Sequence, residues 1–292
     1  ICTAFFLQKS GYKVTLLDHN QPGSGTSYGH ACTFADYACV PVNSPTIYKE
    51  IPSMLLKSDG PLAINFNYLL QNLPWAINFL KNCRNDKIEY IATSLSHLLK
   101  DARLTYDQIF KEVEVSQYIK NTEAIYLYNT EKDFNSAQYS INLRKKNGIT
   151  IKELNSNEIK EMEPNIAPVY SKGILFEGSR HTINPLKVSH KILDAFIDRG
   201  GVFVNKKVTS IDDNKDQIAI HCENSLLNCD QIVICAGAWS KQLALMIGDN
   251  FPLDTERGYH VLFENTEQLI DRPIGWSKFG FYIIQIEEGI RS

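Results

Sequence analysis

The stretch ICTAFFLQKSGYKVTLLDHNQPGSGTSYGH, residues 1–30, decides the fold. Ile1 to Ser10 is an apolar run of helical length, and Gly11 stands where a helix takes a left-handed C-terminal cap. Tyr12 to Leu17 then reads as a short strand ending at Asp18. An acid at the tip of the second strand of a βαβ unit accepts hydrogen bonds from ribose hydroxyls in dinucleotide folds. Pro22 to Gly29 follows, with small residues that let backbone N–H groups and hydroxyls approach an anion closely. The G-x-G-x-x-G turn that feeds such a helix is not in the chain. The acid normally lies roughly 20 residues past those glycines, so the expectation is a fragment whose phosphate-binding turn precedes Ile1. An ordinary helix and strand ending in a solvated Asp18 is the plainer reading of the same residues.

The composition narrows the class without naming a function. A length of 292 residues allows two domains with real cores. A net charge of -3 and an apolar fraction of 43% describe an ordinary globular chain with no general pull toward nucleic acid or anionic lipid. The seven cysteines are odd in number, lack a C-x-x-C pair and lie partly in apolar runs, as in proteins of a reducing cytosol. His30, Cys32 and Cys39 fit no standard zinc spacing, so no metal site is expected.

Taken in order, Ala31 to Pro45 reads as an irregular crossing, and Ile47 to about Val115 as mostly helical, broken at Pro52, Pro61 and Pro74. A strand at Ile125 to Tyr128, a helix from about Asp133 to Lys146 and a strand at Ile149 to Ile151 follow. Asn155 to Glu158 has the form of a capping box, and Gly173 to Phe176 reads as a strand. Pro185 opens a helix that Gly200-Gly201 ends, with a strand at Val202 to Val204 directly after. Lys207 to Ile211 and Gln217 to His221 read as strands at hairpin spacing. Asp230 to Cys235 reads as a strand buried on both faces, leading into Ala236-Gly237-Ala238-Trp239-Ser240 and a helix from Lys241.

Residues 1–31 together resemble the start of the FAD-dependent D-amino-acid oxidase superfamily, most closely its bacterial D-amino-acid dehydrogenase branch. Cys235 to Ser240 resembles the second signature of that superfamily, in the right order some two hundred residues downstream. Arg257-Gly258-Tyr259-His260 resembles a strand placed before the substrate lobe, and Gly178 to Pro185 the loop before the long helix. One departure is that Gly280 to Ile286 lacks the carboxylate-clamping arginine of the oxidases.

The resemblance implies an α/β fold, a Rossmann-like FAD-binding domain with an inserted α+β substrate domain. The expected division is 1–48 and 184–248 for the FAD-binding domain and 49–183 and 249–292 for the substrate domain, with the N-terminal strand and glycine turn of the first and the C-terminal part of the second lying outside the chain. FAD contacts are expected from Asp18, His19, Gly25, Thr26, Ser27, Val208 through its backbone, Ala236, Gly237 and Trp239. Substrate contacts are expected from Arg257, Tyr259, His260, Tyr282, Arg180 and His181; no catalytic acid or base is assigned. The implied reaction moves hydride from the Cα of a D-amino acid to flavin, giving an imino acid and then a 2-oxo acid and ammonia. The implied acceptor is a quinone or an electron-transfer protein, in a cytoplasmic protein that can associate peripherally with the inner face of the plasma membrane. A glycine- or sarcosine-type amine oxidase using oxygen, and a non-catalytic flavin- or nucleotide-binding protein, are the alternatives.

Overall fold

The computed structural model describes residues 1–48, 70, 72–214 and 217–292. The first helix spans Cys2–Lys9 and stops where Gly11 takes φ +92°. The N–H groups of Gly11 and Tyr12 return to the carbonyls of Gln8 and Leu7, so the last turn is satisfied and the chain reverses. It re-emerges as β1 (Thr15–Asp18), which pairs in parallel with β8 (Val202–Asn205), Asp18 standing opposite Asn205.

Parallel strands need a crossover, and a helix at Pro185–Asp198 supplies its last leg. Pro185 sits in its first turn, and Asn184 caps it by accepting from the Lys187 N–H. Its apolar stripe packs on the first helix: Val188 and Ile192 meet Phe5, while Leu193 and Phe196 meet Ala4, Val14, Leu16 and Phe203. A three-stranded antiparallel meander follows, β9 (Val208–Asn214), β10 (Gln217–Cys222) and β11 (Ser225–Cys229), with β10 central.

The largest sheet has the order β12-β15-β14-β13-β4-β6-β5. Its strands are β4 (Ile125–Tyr128), β5 (Ile151–Asn155), β6 (Lys172–Phe176), β12 (Leu262–Glu264), β13 (Ile274–Trp276), β14 (Phe281–Ile286) and β15 (Gly289–Arg291). Both faces of its centre are covered. Ile125 and Leu127 pack with Leu154, Ile159, Leu175, Ile274 and Trp276, whereas Tyr128 and Ala124 pack with Tyr37, Phe134, Ile141 and Phe176. A small sheet of β2 (Thr33–Phe34), β7 (Arg180–Thr182) and β3 (Ile119–Lys120) connects the parts, with β7 central.

Several expectations meet the structure closely. Asn155 caps the Ser156–Met162 helix and Glu158 bonds back to the Asn155 N–H at 2.9 Å, completing the capping box. Others are corrected. Asp230 to Cys235 is not a strand: its exposure alternates, Val233 is 57% exposed, and no strand lies beside it among the described residues. Apolar composition makes a segment fit to be a strand, but a ladder needs a neighbour. The expected helix from Asp133 to Lys146 is two helices, Glu131–Ser136 and Gln138–Lys146, because a second capping box at Thr130 and Asp133 starts the first early and Ala137 separates them. The helical reading of 47–115 holds as Leu73–Lys81, Asn85–Leu99 and Ala102–Glu112, with Pro74 in a first turn; Pro52 and Pro61 lie outside the described residues. The strands β2, β3, β7, β11, β13 and β15 were not expected from the sequence, and β2 and β3, of two residues each, are too short to show any alternation.

Gly201 shows why two glycines end the long helix. A Cβ there would stand about 2.4 Å from the fully buried Phe196 ring. Gly201→Ala is therefore expected to cost about 1–3 kcal/mol through overpacking, read as a lowered midpoint in urea; a midpoint equal to that of the parent would show that the ring can move aside.

Candidate functional site

Asp18 ends β1 with its carboxylate about half exposed. One oxygen, Oδ1, accepts the Asn20 N–H at 3.0 Å, and Oδ2 has no partner among the described residues. Asn205, its neighbour in register, donates from Nδ2 to the carbonyls of Asp18 and Asn20 at 3.1 and 3.2 Å. The acid is thus held at a strand tip with one oxygen free to accept. Asn205 was not among the expected residues; its only signal in the sequence was its place at the end of the strand after Gly200-Gly201.

Beyond Asp18 the loop is turned by local bonds, Ser24 Oγ to the Gln21 carbonyl at 2.7 Å and Tyr28 N–H to the Gly25 carbonyl at 3.0 Å. Gly25, Thr26 and Ser27 are exposed at its crest, as is His19 before it. Val208 opens β9 three residues past Asn205 and is half-buried. Ala236, Gly237 and Trp239 form a turn beside the start of the first helix, where the Cys235 thiol donates to Thr3 Oγ1 at 3.6 Å. Gly237 has φ +53° and open space around the position of a Cβ, so a side chain there would project into that space. Trp239 is 51% exposed. The structure therefore gathers Asp18, His19 and Val208 at the carboxyl edge of the parallel pair, and the glycine turn at the amino end of the first helix. Helix starts and strand ends on that edge are where α/β folds hold ligands.

The substrate candidates divide. Arg257, Tyr259 and His260 lie on an exposed segment before β12, with Tyr259 89% exposed. Of these only His260 approaches the first loop, its ring 6.4 Å from that of Tyr28. Tyr28 is itself covered by the guanidinium of Arg291, whose Nη1 donates to the Tyr28 carbonyl at 2.6 Å and to the His30 carbonyl at 3.4 Å. Arg291 is buried and ties β15 to the loop after Asp18. Burial, together with this nearby cation, lowers the His30 pKa. Burial pushes the Cys32 thiol up to about 11 against the pull of Arg291, so Cys32 is a protonated core residue rather than a nucleophile.

Tyr282 on β14 shares its hydroxyl with that of Tyr126 on β4. The Tyr126 ring meets Phe176 edge-on at 4.8 Å and Tyr37 at 6.3 Å, and burial raises both the Tyr37 and the Tyr126 phenols. Arg180 and His181, adjacent in sequence, point to opposite faces of β7. Arg180 is held at both Nη atoms: Nη1 bonds Asp107, Nη2 donates to the Arg103 carbonyl at 3.0 Å, and its plane lies over Phe34 and Phe110, while its buried Nε has no hydrogen-bond partner among the described residues. His181 is 2% exposed and lines a cavity of about 510 Å³ with Lys120, Thr122, Asp271, Arg272 and Glu287. Its Nδ1 donates to the Thr122 carbonyl at 3.3 Å. Burial, reinforced by the charges of Lys120 and Arg272, pushes its pKa down to about 4 although the Thr122 bond opposes this.

Known proteins bear on this geometry. The family model described as FAD dependent oxidoreductase matches residues 1–291. A D-amino-acid oxidase of Bradyrhizobium diazoefficiens is 33% identical over 271 residues, covering 91% of this chain and 64% of the relative. A D-amino acid dehydrogenase of Vibrio vulnificus is 22% identical over 273 residues, covering 92% and 66%. Among solved structures, glycine oxidase from Geobacillus kaustophilus superposes with a TM-score of 0.68 at 16% identity, over 99% of this chain and 66% of that one. The chain thus spans about two thirds of the length of the proteins it matches. The superposition shows the fold: a Rossmann-like α/β part joined to an α+β part built on the seven-stranded sheet.

The depressed pKa of His181 gives a pH signature. In the unfolded chain its imidazole takes a proton near pH 6.5, whereas in the fold it does so only near 4. Its contribution to stability is thus complete above pH 6.5 and falls away as the pH drops to 4, by roughly 3 kcal/mol. Urea unfolding across that range should show a shallower pH dependence for His181→Gln than for the parent; parallel curves would remove His181 as the cause.

Proposed function

We propose that this chain, which belongs to the FAD dependent oxidoreductase family, carries part of the cofactor site and of the substrate lobe of an enzyme that oxidises a D-amino acid at Cα to an imino acid, which hydrolyses to a 2-oxo acid and ammonia. The likeness to the Bradyrhizobium D-amino-acid oxidase carries this reading. On it, 1–48 and 184–248 form the FAD-binding domain and 49–183 and 249–292 the substrate domain.

The residues present suit an adenosine end of FAD. Asp18 offers a free carboxylate oxygen for ribose hydroxyls, with His19 beside it. Thr26 and Ser27 offer hydroxyls next to Gly25, Val208 its backbone, and Ala236, Gly237 and Trp239 an open turn. When bound, flavin supplies the two-electron sink for hydride from the substrate carbon. The chain's own residues have the task of orienting the amino acid, a task suited to Tyr282 with its Tyr126 partner and to Arg257, Tyr259 and His260. Arg180, whose Nη atoms bond Asp107 and the Arg103 carbonyl while its buried Nε has no partner among the described residues, braces the lobe on this reading.

The acceptor on this reading is a quinone or an electron-transfer protein, as suits the likeness to a dehydrogenase. Peripheral association with the inner face of the plasma membrane accompanies it; no helix among the described residues is long and apolar enough to cross a membrane. A second reading, a glycine-type amine oxidase using oxygen, is favoured by the superposition on glycine oxidase.

Two measurements test this. D-alanine is expected to bleach the flavin absorbance of the full-length protein without oxygen, and L-alanine and glycine much less. Bleaching by glycine alone would transfer the reading to the amine oxidases, and none by any amino acid would end it. For Asp18→Ala, loss of a charge-assisted bond worth about 1.5–3 kcal/mol is expected to lower flavin retention on gel filtration by at least tenfold, with circular dichroism unchanged; equal retention would sink the role of Asp18.

A further inference from the structure

We propose that Gly275, a buried glycine at the centre of β13, is a positioning residue for Tyr282. Its lack of a side chain lets Tyr282 and Tyr126 lean over it and share a hydroxyl bond, a clasp that leaves the pair one directed O–H to offer. Both tyrosines stand opposite Gly275 in register, Tyr126 on the parallel neighbour β4 and Tyr282 on the antiparallel neighbour β14. Strands two apart in a sheet are separated by roughly 9–10 Å. The two ring centroids are only 5.5 Å apart and meet edge to face, so both rings tilt inward across the strand between them. A glycine inside a strand is where such a close approach becomes feasible.

The rings occupy the space that a Cβ would need. A Cβ on Gly275 would stand 2.9 Å from Tyr126 Cδ1 and Cε1 and 3.1 Å from Tyr282 Cε1. Tyr126 is walled in on its other side: Phe176 meets its ring edge-on at 4.8 Å, and the fully buried Tyr37, stacked on Phe176 at 4.0 Å, meets it at 6.3 Å. Tyr282 has no such wall, Tyr126 being its only ring neighbour among the described residues. Tyr282 is therefore the ring that a side chain at 275 would drive away, breaking the clasp. Ile274 and Trp276, on either side of Gly275, turn to the opposite face among Ile125 and Leu127.

In a shared bond one phenol donates and the other accepts, and neither hydroxyl has a further partner among the described residues. The accepting phenol keeps its own proton to give, and accepting makes it the better donor. Alternation along β14 puts Tyr282 on the same face as Ile284 and Ile286, which pack with Cys32 from the loop after Asp18. The O–H is thus offered on the face of the sheet that meets the part carrying Asp18. What it does there rests on the oxidation proposed above, in which the pair orients the amino acid. Gly275 acts on that step only through Tyr282, and no bond to it is made or broken.

The test uses the full-length holoprotein isotope-labelled at its tyrosine Cζ atoms, with Tyr282→Phe and Tyr126→Phe identifying the two magnetic resonance signals. Each of these variants is expected to shift the signal of the remaining partner, and Gly275→Ala to shift both, with no ligand added. With whichever amino acid bleaches the flavin, Gly275→Ala and Tyr126→Phe are each expected to raise KM about tenfold, the margin of one charge-assisted hydrogen bond, while kcat changes by less than about twofold. Combined, the two should raise KM no further than either alone, because one clasp can be lost only once. Unshifted phenol signals in Gly275→Ala, a KM for Tyr126→Phe equal to that of the parent, or additive effects in the double variant would each overturn the proposal. Should Gly275→Ala fail to fold, Tyr126→Phe, which keeps the backbone and both rings, decides by its KM. Bleaching reports the redox reading separately: if no amino acid bleaches the flavin that reading falls, and the phenol signals alone still decide whether Gly275 holds the clasp.

Discussion

The parallel pairing of Thr15–Asp18 with Val202–Asn205 constrains everything else in this chain. It joins residues 187 apart in sequence, Asp18 and Asn205, and fixes them side by side at one sheet edge. Parallel strands cannot be joined by a tight turn. All that lies between them must therefore leave the sheet and return through a helix that packs back onto it, which the Pro185–Asp198 helix does by burying Phe196 against Ala4 and Leu16. The seven-stranded sheet is in that sense a very long crossover, continued after the meander by β12 to β15.

That arrangement needs ties where the two parts meet, and the buried arginines provide them. Arg291 reaches from the last strand to the carbonyls of Tyr28 and His30, and Arg180 reaches from the connecting sheet to Asp107 and Arg103. Each guanidinium also lies over aromatic rings, Tyr28 for one and Phe34 and Phe110 for the other. A delocalised cation is the side chain best able to bond carbonyls in its plane while its faces stay apolar. Each nonetheless keeps a buried Nε without a hydrogen-bond partner among the described residues.

Likeness to known enzymes bears unequally on fold and chemistry. A TM-score of 0.68 at 16% identity establishes the architecture, but the same architecture accepts glycine in one protein and other amino acids in others. What distinguishes them lies in a few side chains around the substrate. In this chain those candidates are dispersed, with Tyr282 in an aromatic cluster, Tyr259 in solvent and His181 in a cavity of its own.

The sequence by itself determined the features whose causes are local. The helix ending at Gly11, the strand ending at Asp18, the Asn155 and Glu158 capping box and the Pro185 to Gly201 helix boundaries all follow from bonds within a few residues. Only the tertiary structure decided which apolar segment became a strand, since Ile232 to Cys235 lacks a neighbour among the described residues while the shorter Ile274–Trp276 has two. It likewise decided that Arg180 pairs with Asp107 while His181 faces a cavity, and that Tyr282 is partnered by Tyr126, 156 residues away. Side-chain alternation along a strand is written in the sequence, but what each face meets depends on strands brought together across more than a hundred residues, and no local pattern encodes that meeting.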